Sequence, residues 1–449
     1  MIYKKIGNIF SYFLDRKSKI QLIVSRAGHQ SLLIAFQFLV AGIFGINKYA
    51  EIATLFLVIS FLEIGVFGIS AYLNNEYGRL LGNKIYDDFD LVNKAIAVSF
   101  LTILSIPFIL ALNILFFDIS INWLNALILV SFIFFKNIRT IFEIFVRYQK
   151  ESFLKTILYI DIGIAFILII LIPLYRDIQD VINVYLILSL TCQCLIILIF
   201  LRKQRYFSRF ENTSPPILFS RIKSNINFKS TTFLFNSIIV LASNFGTRSV
   251  LLYIRSLAKI SLDNNNFGIF SLVMVTANSV IRLNGNIFWY LHQSLISIVQ
   301  NYEKFISSIK ILFLFMIIEF IFVFMFASIY LNWYGDVLME KYFFLGASFI
   351  IYKNMESLIR PVVIYFYKNT YLIFFSYIPF LLVLGLDLIG VHFSINLNYL
   401  VLFYSFFGTL LLSQCYGYRF SHVTFLIIGI FWFFSVEFLS KLFFKFFLN

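Results

Sequence analysis

The sequence predicts an all-α protein that crosses a membrane about twelve times, and three observations carry the prediction. Of 449 residues, 61% are hydrophobic and only 13% are charged, whereas about a quarter of a soluble domain is charged. Apolar stretches of roughly 20 residues, the length that crosses a bilayer as a helix, recur along the chain. Lys and Arg gather in alternate connections between them, as in cytoplasmic loops. The net charge of +14 is therefore read as loop bias, and no nucleic-acid partner is expected.

Residues 1–19 form a short amphipathic segment. Ile2, Ile6, Ile9, Phe10 and Phe13 share one face, with Lys4, Lys5, Arg16, Lys17 and Lys19 around them, the pattern of a helix lying on the inner membrane surface. No cleavable signal peptide is expected, because the first apolar stretch carries Arg26 and His29 and lacks a small-residue cleavage site. Spans are predicted near 20–46, 50–72, 95–117, 121–147, 153–175 and 180–201, the first six-helix bundle (20–201). A basic linker, 202–228, follows, with Pro215 and Pro216. A second bundle (229–415) has spans near 229–254, 267–291, 308–331, 341–366, 370–391 and 397–415. The segment 416–449 holds a further apolar stretch, 421–440, long enough for a thirteenth span. With the N-terminus inside, about 22 Lys/Arg fall in cytoplasmic segments, about 7 outside and about 7 within spans.

The halves repeat at an offset of 217 residues. Ile52, Leu55 and Val58 align with Ile269, Leu272 and Val275, and Lys136-Asn137 with Lys353-Asn354. Two bundles of the same orientation, related by a pseudo-two-fold axis along the membrane normal around a central cavity, are expected.

Charges inside the spans are the most informative feature. In "IFFKNIRTIFEIFVRYQK" (133–150), Lys136, Arg139, Glu143 and Arg147 fall within an arc of roughly 80° on a helix. Lys353, Glu356 and Arg360 repeat the stripe in the tenth span. A mid-membrane Lys, Arg or Asp costs about 2.5–3.5 kcal/mol, so these residues must face the bundle interior, water, or one another. Arg139–Glu143 and Glu356–Arg360 have the i,i+4 spacing of intrahelical pairs, and the same residues suit a cavity wall or a gate. Arg147, at the inner end, is placed to snorkel. Arg26, Arg248 and Arg282 have no acid within a helical turn. Basic residues within spans thus number seven (Arg26, Lys136, Arg139, Arg248, Arg282, Lys353, Arg360) against five acids (Glu63, Glu143, Asp161, Glu319, Glu356). Such a cavity suits a large anionic group such as a phosphate. Glu63, Asp161 and Glu319 are candidates for ion coupling; Asp161 and Glu319 call for either a raised proton affinity or a partner on another helix.

Catalytic signatures do not emerge. "GRLLGNK" (78–84) lacks phosphate-loop spacing, and His29, His292, His392 and His422 are scattered. Cys192, Cys194 and Cys415 lie in apolar runs and read as small buried hydrophobes. Neither an enzyme, a metal site nor a cofactor is expected, and any driving force would come from an ion gradient or substrate flux.

The layout of short loops, about twelve spans, a basic central linker and charged interior helices resembles the O-antigen flippases (Wzx) of the multidrug/oligosaccharidyl-lipid/polysaccharide (MOP) exporter superfamily, with its MATE-like fold. "INKYAEIATLFLVISFLEIGVFGISAY" (46–72) is similar to that family's opening, and "FEIFVRYQKESFLKTILYIDIGIAF" (142–166) to its fourth-to-fifth helix junction. The resemblance implies a flippase in the bacterial inner membrane. It would move a polyprenyl (undecaprenyl) diphosphate-linked oligosaccharide repeat unit from the inner to the outer leaflet for O-antigen or surface polysaccharide synthesis. It implies diphosphate or glycan binding by Arg26, Arg139, Arg248 and Arg282, with Lys136, Lys353 and Arg360 in support. Glu63, Glu143, Asp161, Glu319 and Glu356 would serve as gate or coupling residues for H+ or Na+. Its partners would be the bilayer and a polysaccharide polymerase with chain-length machinery. The alternatives are a multidrug or cation exporter of the same superfamily, expected to have an acidic or neutral cavity, and a membrane glycan polymerase, expected to have bulky outer loops.

Overall fold

A computed structural model of the chain describes residues 17–66, 89–101, 103–117, 122–149, 151–207, 228–291, 338–366, 369–390, 393–417 and 426–434, with a few shorter pieces between them. Among the described residues every regular element is helical. The helices are α1 (Lys17–Phe44), α2 (Ile46–Leu62), α3 (Phe89–Leu101), α4 (Ser105–Phe117), α5 (Trp123–Gln149), α6 (Glu151–Leu171) and α7 (Ile178–Phe207), then α8 (Phe228–Ser261), α9 (Asn264–Leu291), α10 (Leu338–Phe366), α11 (Asn369–Leu388) and α12 (Phe393–Tyr416). The amphipathic segment 1–16, most of the basic linker and the ninth expected span lie outside the described residues.

Among the described residues, five segments are long and apolar enough to cross a membrane: Val24–Phe44, Ile46–Val66, Lys155–Leu174, Ile178–Arg202 and Asn398–Tyr416. The charged helices α5, α8, α9 and α10 are not among them, although at 27, 34, 28 and 29 residues they reach about 40–50 Å at 1.5 Å per residue. Large apolar side chains cover the outside, such as Leu115 at 79% and Phe116 at 77% exposed on α4. Such a surface suits lipid rather than water.

Helix ends follow local chemistry. Asn122 Oδ1 accepts the Asn125 backbone N–H at 2.7 Å, and Asp263 Oδ1 that of Asn266 at 3.1 Å, capping α5 and α9. The break between α1 and α2 falls at Gly45, whose φ of 85° suits glycine. Residues 47–49, between the first two expected spans, therefore lie in the first turn of α2. Tyr49 in that turn donates to Gln37 Oε1 at 2.6 Å and ties α2 to α1.

Two expected spans are broken. The second stays helical to Val66, its last turn a 3-10 turn (Glu63–Val66), and is interrupted at Gly68, whose φ is 65°. The third divides into α3 and α4, whose axes differ by 48°. Pro107, in the first turn of α4, removes the N–H that would have continued the helix from α3.

The chain divides into two compact units, Met1–Asn244 and Phe245–Asn449. In the first, α1 packs on α6, and α5 packs on α3 and α7. Phe142 of α5 stacks on Phe200 of α7 at 4.0 Å. In the second, α10 packs on α9 and α12. An offset of 217 carries Phe44, Gln149 and Leu171 to Ser261, Phe366 and Leu388, each the last residue of a helix.

Beyond α12, the helical stretch 426–434 joins the second unit. Trp432 Nε1 donates to Ser348 Oγ of α10 at 3.0 Å, and Ser348 donates to Asn398 of α12 at 2.5 Å. Phe433 lies 5.1 Å from the Tyr399 ring. Gly429 presses on Ser405, so closely that a Cβ would fall 2.0 Å from Ser405 Oγ. Rising numbers from Gly429 to Phe433 thus meet falling numbers along α12, from Ser405 to Tyr399. The stretch runs back antiparallel to α12. Gly429→Leu is expected to destabilise the second unit by about 1–3 kcal/mol through overpacking, read as thermal unfolding of the purified protein. Ile430→Leu, at a position 41% exposed, should change it by less than about 0.5 kcal/mol.

Candidate functional site

The charge stripe of α5 organises the interior of the first unit. Arg139 Nε donates to Glu143 Oε1 at 2.6 Å, one turn along the same helix, and Arg139 Nη2 donates to Asp161 Oδ2 of α6 at 2.5 Å. Nη1 donates to Gln193 Oε1 of α7 at 3.2 Å. Cys192 Sγ donates to the other Asp161 oxygen at 3.3 Å. Arg139, Glu143 and Asp161 are 12%, 15% and 9% exposed. One guanidinium therefore joins three helices, and its planar fork meets two carboxylates, the geometry for which Arg is suited. The intrahelical pair expected from spacing is present, and Asp161 has its partner on another helix.

A second pair lies one turn earlier on α5. Lys136 Nζ meets Glu63 Oε1 at 2.6 Å, with side chains 39% and 26% exposed. Lys136 Nζ also lies 5.6 Å from the centre of the Phe132 ring. The neighbouring Asn137 Nδ2 donates to Ser99 Oγ of α3 at 2.8 Å. In the second unit the tenth-span stripe is partnered within its own helix. Lys353 Nζ donates to Glu356 Oε2 at 2.7 Å and lies 5.0 Å from the centre of the Tyr352 ring. Glu356 is thus met by Lys353, three residues earlier, where spacing also allowed Arg360.

The structure brings Lys136 together with Glu63, Arg139 with Glu143 and Asp161, and Lys353 with Glu356. Arg26 is half-buried on α1. Arg248, Arg282 and Arg360 are on α8, α9 and α10; their side chains, with those of Arg147 and Glu319, lie outside the described residues.

Sequence reading missed several participants. Cys192, read as a small hydrophobe, is a donor in the Arg139 network, and Gln193 beside it is an acceptor. The polar run Thr191–Cys194 between apolar stretches of that helix was the available signal. In the second unit Tyr253 donates to Asp387 at 2.7 Å and links α8 to α11.

Arg139→Met would leave Glu143 and Asp161 buried without their cation. It is expected to cost about 3–5 kcal/mol of stability. Adding Glu143→Gln and Asp161→Asn should recover most of that loss, because no uncompensated charge then remains. Thermal unfolding in detergent of the single and triple variants checks both.

No family model matches the sequence, and no curated protein matches it. Solved structures do match it. One is the inward-facing conformation of a multidrug resistance MATE family transporter of the MOP superfamily: 12% identity, TM-score 0.57, 93% of this chain and 95% of that one. Another is the outward-facing conformation of such a transporter: 11% identity, TM-score 0.54, 94% and 96% covered. A third, a MATE in complex with MaD5, has 14% identity and a TM-score of 0.52, with 94% and 97% covered. Identities this low speak for fold alone. The chain is a multi-pass membrane protein with a fold similar to that of MATE transporters of the MOP superfamily.

Proposed function

We propose that this protein is a flippase that moves a polyprenyl-diphosphate-linked oligosaccharide repeat unit from the cytoplasmic to the outer leaflet of the bacterial inner membrane. The observation that carries the reading is the surplus of positive charge on the spanning helices. Glu63, Glu143, Asp161 and Glu356 are engaged by Lys136, Arg139 and Lys353. Beside these pairs stand four further bases, Arg26, Arg248, Arg282 and Arg360, against two further acids, Glu319 and Asp387. Arginines held in a low-dielectric cavity suit a diphosphate, which accepts several charge-assisted hydrogen bonds. The glycan and diphosphate cross in the cavity while the polyprenyl tail stays in lipid, and alternating access carries the headgroup across. Glu63, Glu143, Asp161, Glu319 and Glu356 serve as gate or ion-coupling groups in this reading, with H+ or Na+ as the coupling ion.

The proposed architecture is two six-helix bundles, 20–201 and 229–415, joined by the cytoplasmic basic linker 202–228 and related by a pseudo-two-fold axis. The shared helix ends at an offset of 217 support it. The antiparallel packing of 426–434 on α12 supports a thirteenth crossing within 416–449. With the N-terminus cytoplasmic, that crossing places the C-terminus outside.

A second reading, export of cationic compounds, is favoured by the fold neighbours, two of which are described as multidrug resistance transporters. The surplus of bases speaks against it, because a cationic cavity repels a cationic cargo.

Depleting the protein in its native cell should trap single lipid-linked repeat units on the cytoplasmic leaflet and leave drug susceptibility unchanged. Unaltered surface glycan with heightened sensitivity to cationic dyes would instead establish the exporter. Arg248→Ala and Arg282→Ala should each abolish complementation at wild-type protein level, checked by immunoblotting of membranes beside the glycan profile.

A further inference from the structure

The breaks in the second and third spans meet. Ser105 Oγ, the first residue of α4, donates to the carbonyl of Gly65 at 2.5 Å, inside the 3-10 turn that ends α2. Both glycines are closely packed: a Cβ on Gly65 would lie 3.3 Å from Ile106 Cα, and one on Gly68, whose φ of 65° itself favours glycine, would lie 2.9 Å from Leu241 Cβ. Glu63 opens that turn and reaches Lys136 on α5, while Asn137 next to it holds Ser99 just before the second break. Interrupted helices inside a membrane are tolerated where they are buried in protein or line a water-filled space. In transporters such interruptions accompany binding sites. The repeat-related helix α9 runs unbroken through 280–285, the positions that correspond to 63–68. The break is thus a property of the first unit's own sequence.

The Lys136–Glu63 pair also differs from the other two in exposure. Arg139 and its carboxylates are 9–15% exposed, and Lys353 and Glu356 are 16% and 5% exposed; Lys136 and Glu63 are 39% and 26% exposed. An ammonium that exposed at membrane depth must face water rather than lipid. Its counter-ion lies in the last helical turn before the interruption at Gly68.

We infer that Lys136 receives the anionic diphosphate group of the cargo at this double break, and that Glu63 is its resting counter-ion, displaced when the anion arrives. The inference rests on the flippase reading for the identity of the cargo, but the anion site can be tested without that cargo. Inorganic pyrophosphate is titrated into the purified full-length protein in liposomes. Wild type should bind it, and Glu63→Gln should bind it about two- to fivefold more tightly, the range that a pair partly open to water is worth. Lys136→Gln should lose binding. Glu63→Gln/Lys136→Gln removes both charges together; it should keep wild-type thermal stability without binding, which separates loss of the site from loss of the fold. No pyrophosphate binding by wild type and Glu63→Gln, equal affinity in the two, or binding that survives Lys136→Gln would overturn the inference. Those results would leave the flippase reading standing if depletion still traps lipid-linked units. Pyrophosphate binding as expected, with no such trapping, would keep the anion site and remove the flippase reading.

Discussion

A charge inside a bilayer has no water to turn to, and the interior of this protein is arranged around that constraint. Arg139 is the clearest case. A guanidinium facing lipid would be untenable, and here Glu143, Asp161 and Gln193 meet it from α5, α6 and α7. The three helices are thereby fixed in register as well as in contact. An apolar seam between them, such as Phe142 on Phe200, would tolerate sliding; a two-carboxylate clasp on one planar cation does not.

The same constraint separates the roles of the charged groups. A pair shut away from water is costly to open, because each partner would be left unneutralised in a low dielectric. Arg139 with its two acids, and Lys353 with Glu356, are the more costly pairs to part on this ground. The Lys136–Glu63 pair is more open and stands where two helices are interrupted, so its exchange with another anion involves less desolvation. Fold and electrostatics thus point to different levels of function. The fold is similar to that of MATE transporters, and the balance of charge bears on the sign of the cargo in the proposed function.

Much of the scaffold was legible in the sequence. Most of the described helices lie within a few residues of the apolar stretches, because a membrane helix must hide its backbone polar groups along its whole length and so writes its extent in hydropathy. The interruptions were less legible. Gly65, Gly68 and Pro107 were all visible in the chain, yet glycine and proline also occur in unbroken membrane helices. Only their close contacts, Gly65 against Ile106 and Gly68 against Leu241, show why the second span gives way where it does.

By itself the sequence determined that the chain is a series of apolar helices and that α5 and α10 carry charged stripes. Each of these follows from periodicity and composition along one helix. Tertiary structure alone decided the partners. Spacing offered Arg139 only Glu143, while Asp161, 22 residues on, completes the clasp. Spacing gave Lys136 no acid one turn ahead, and it pairs with Glu63, 73 residues away. A side chain on one helix chooses among groups brought by others, and that choice depends on how the helices pack, which no local pattern encodes.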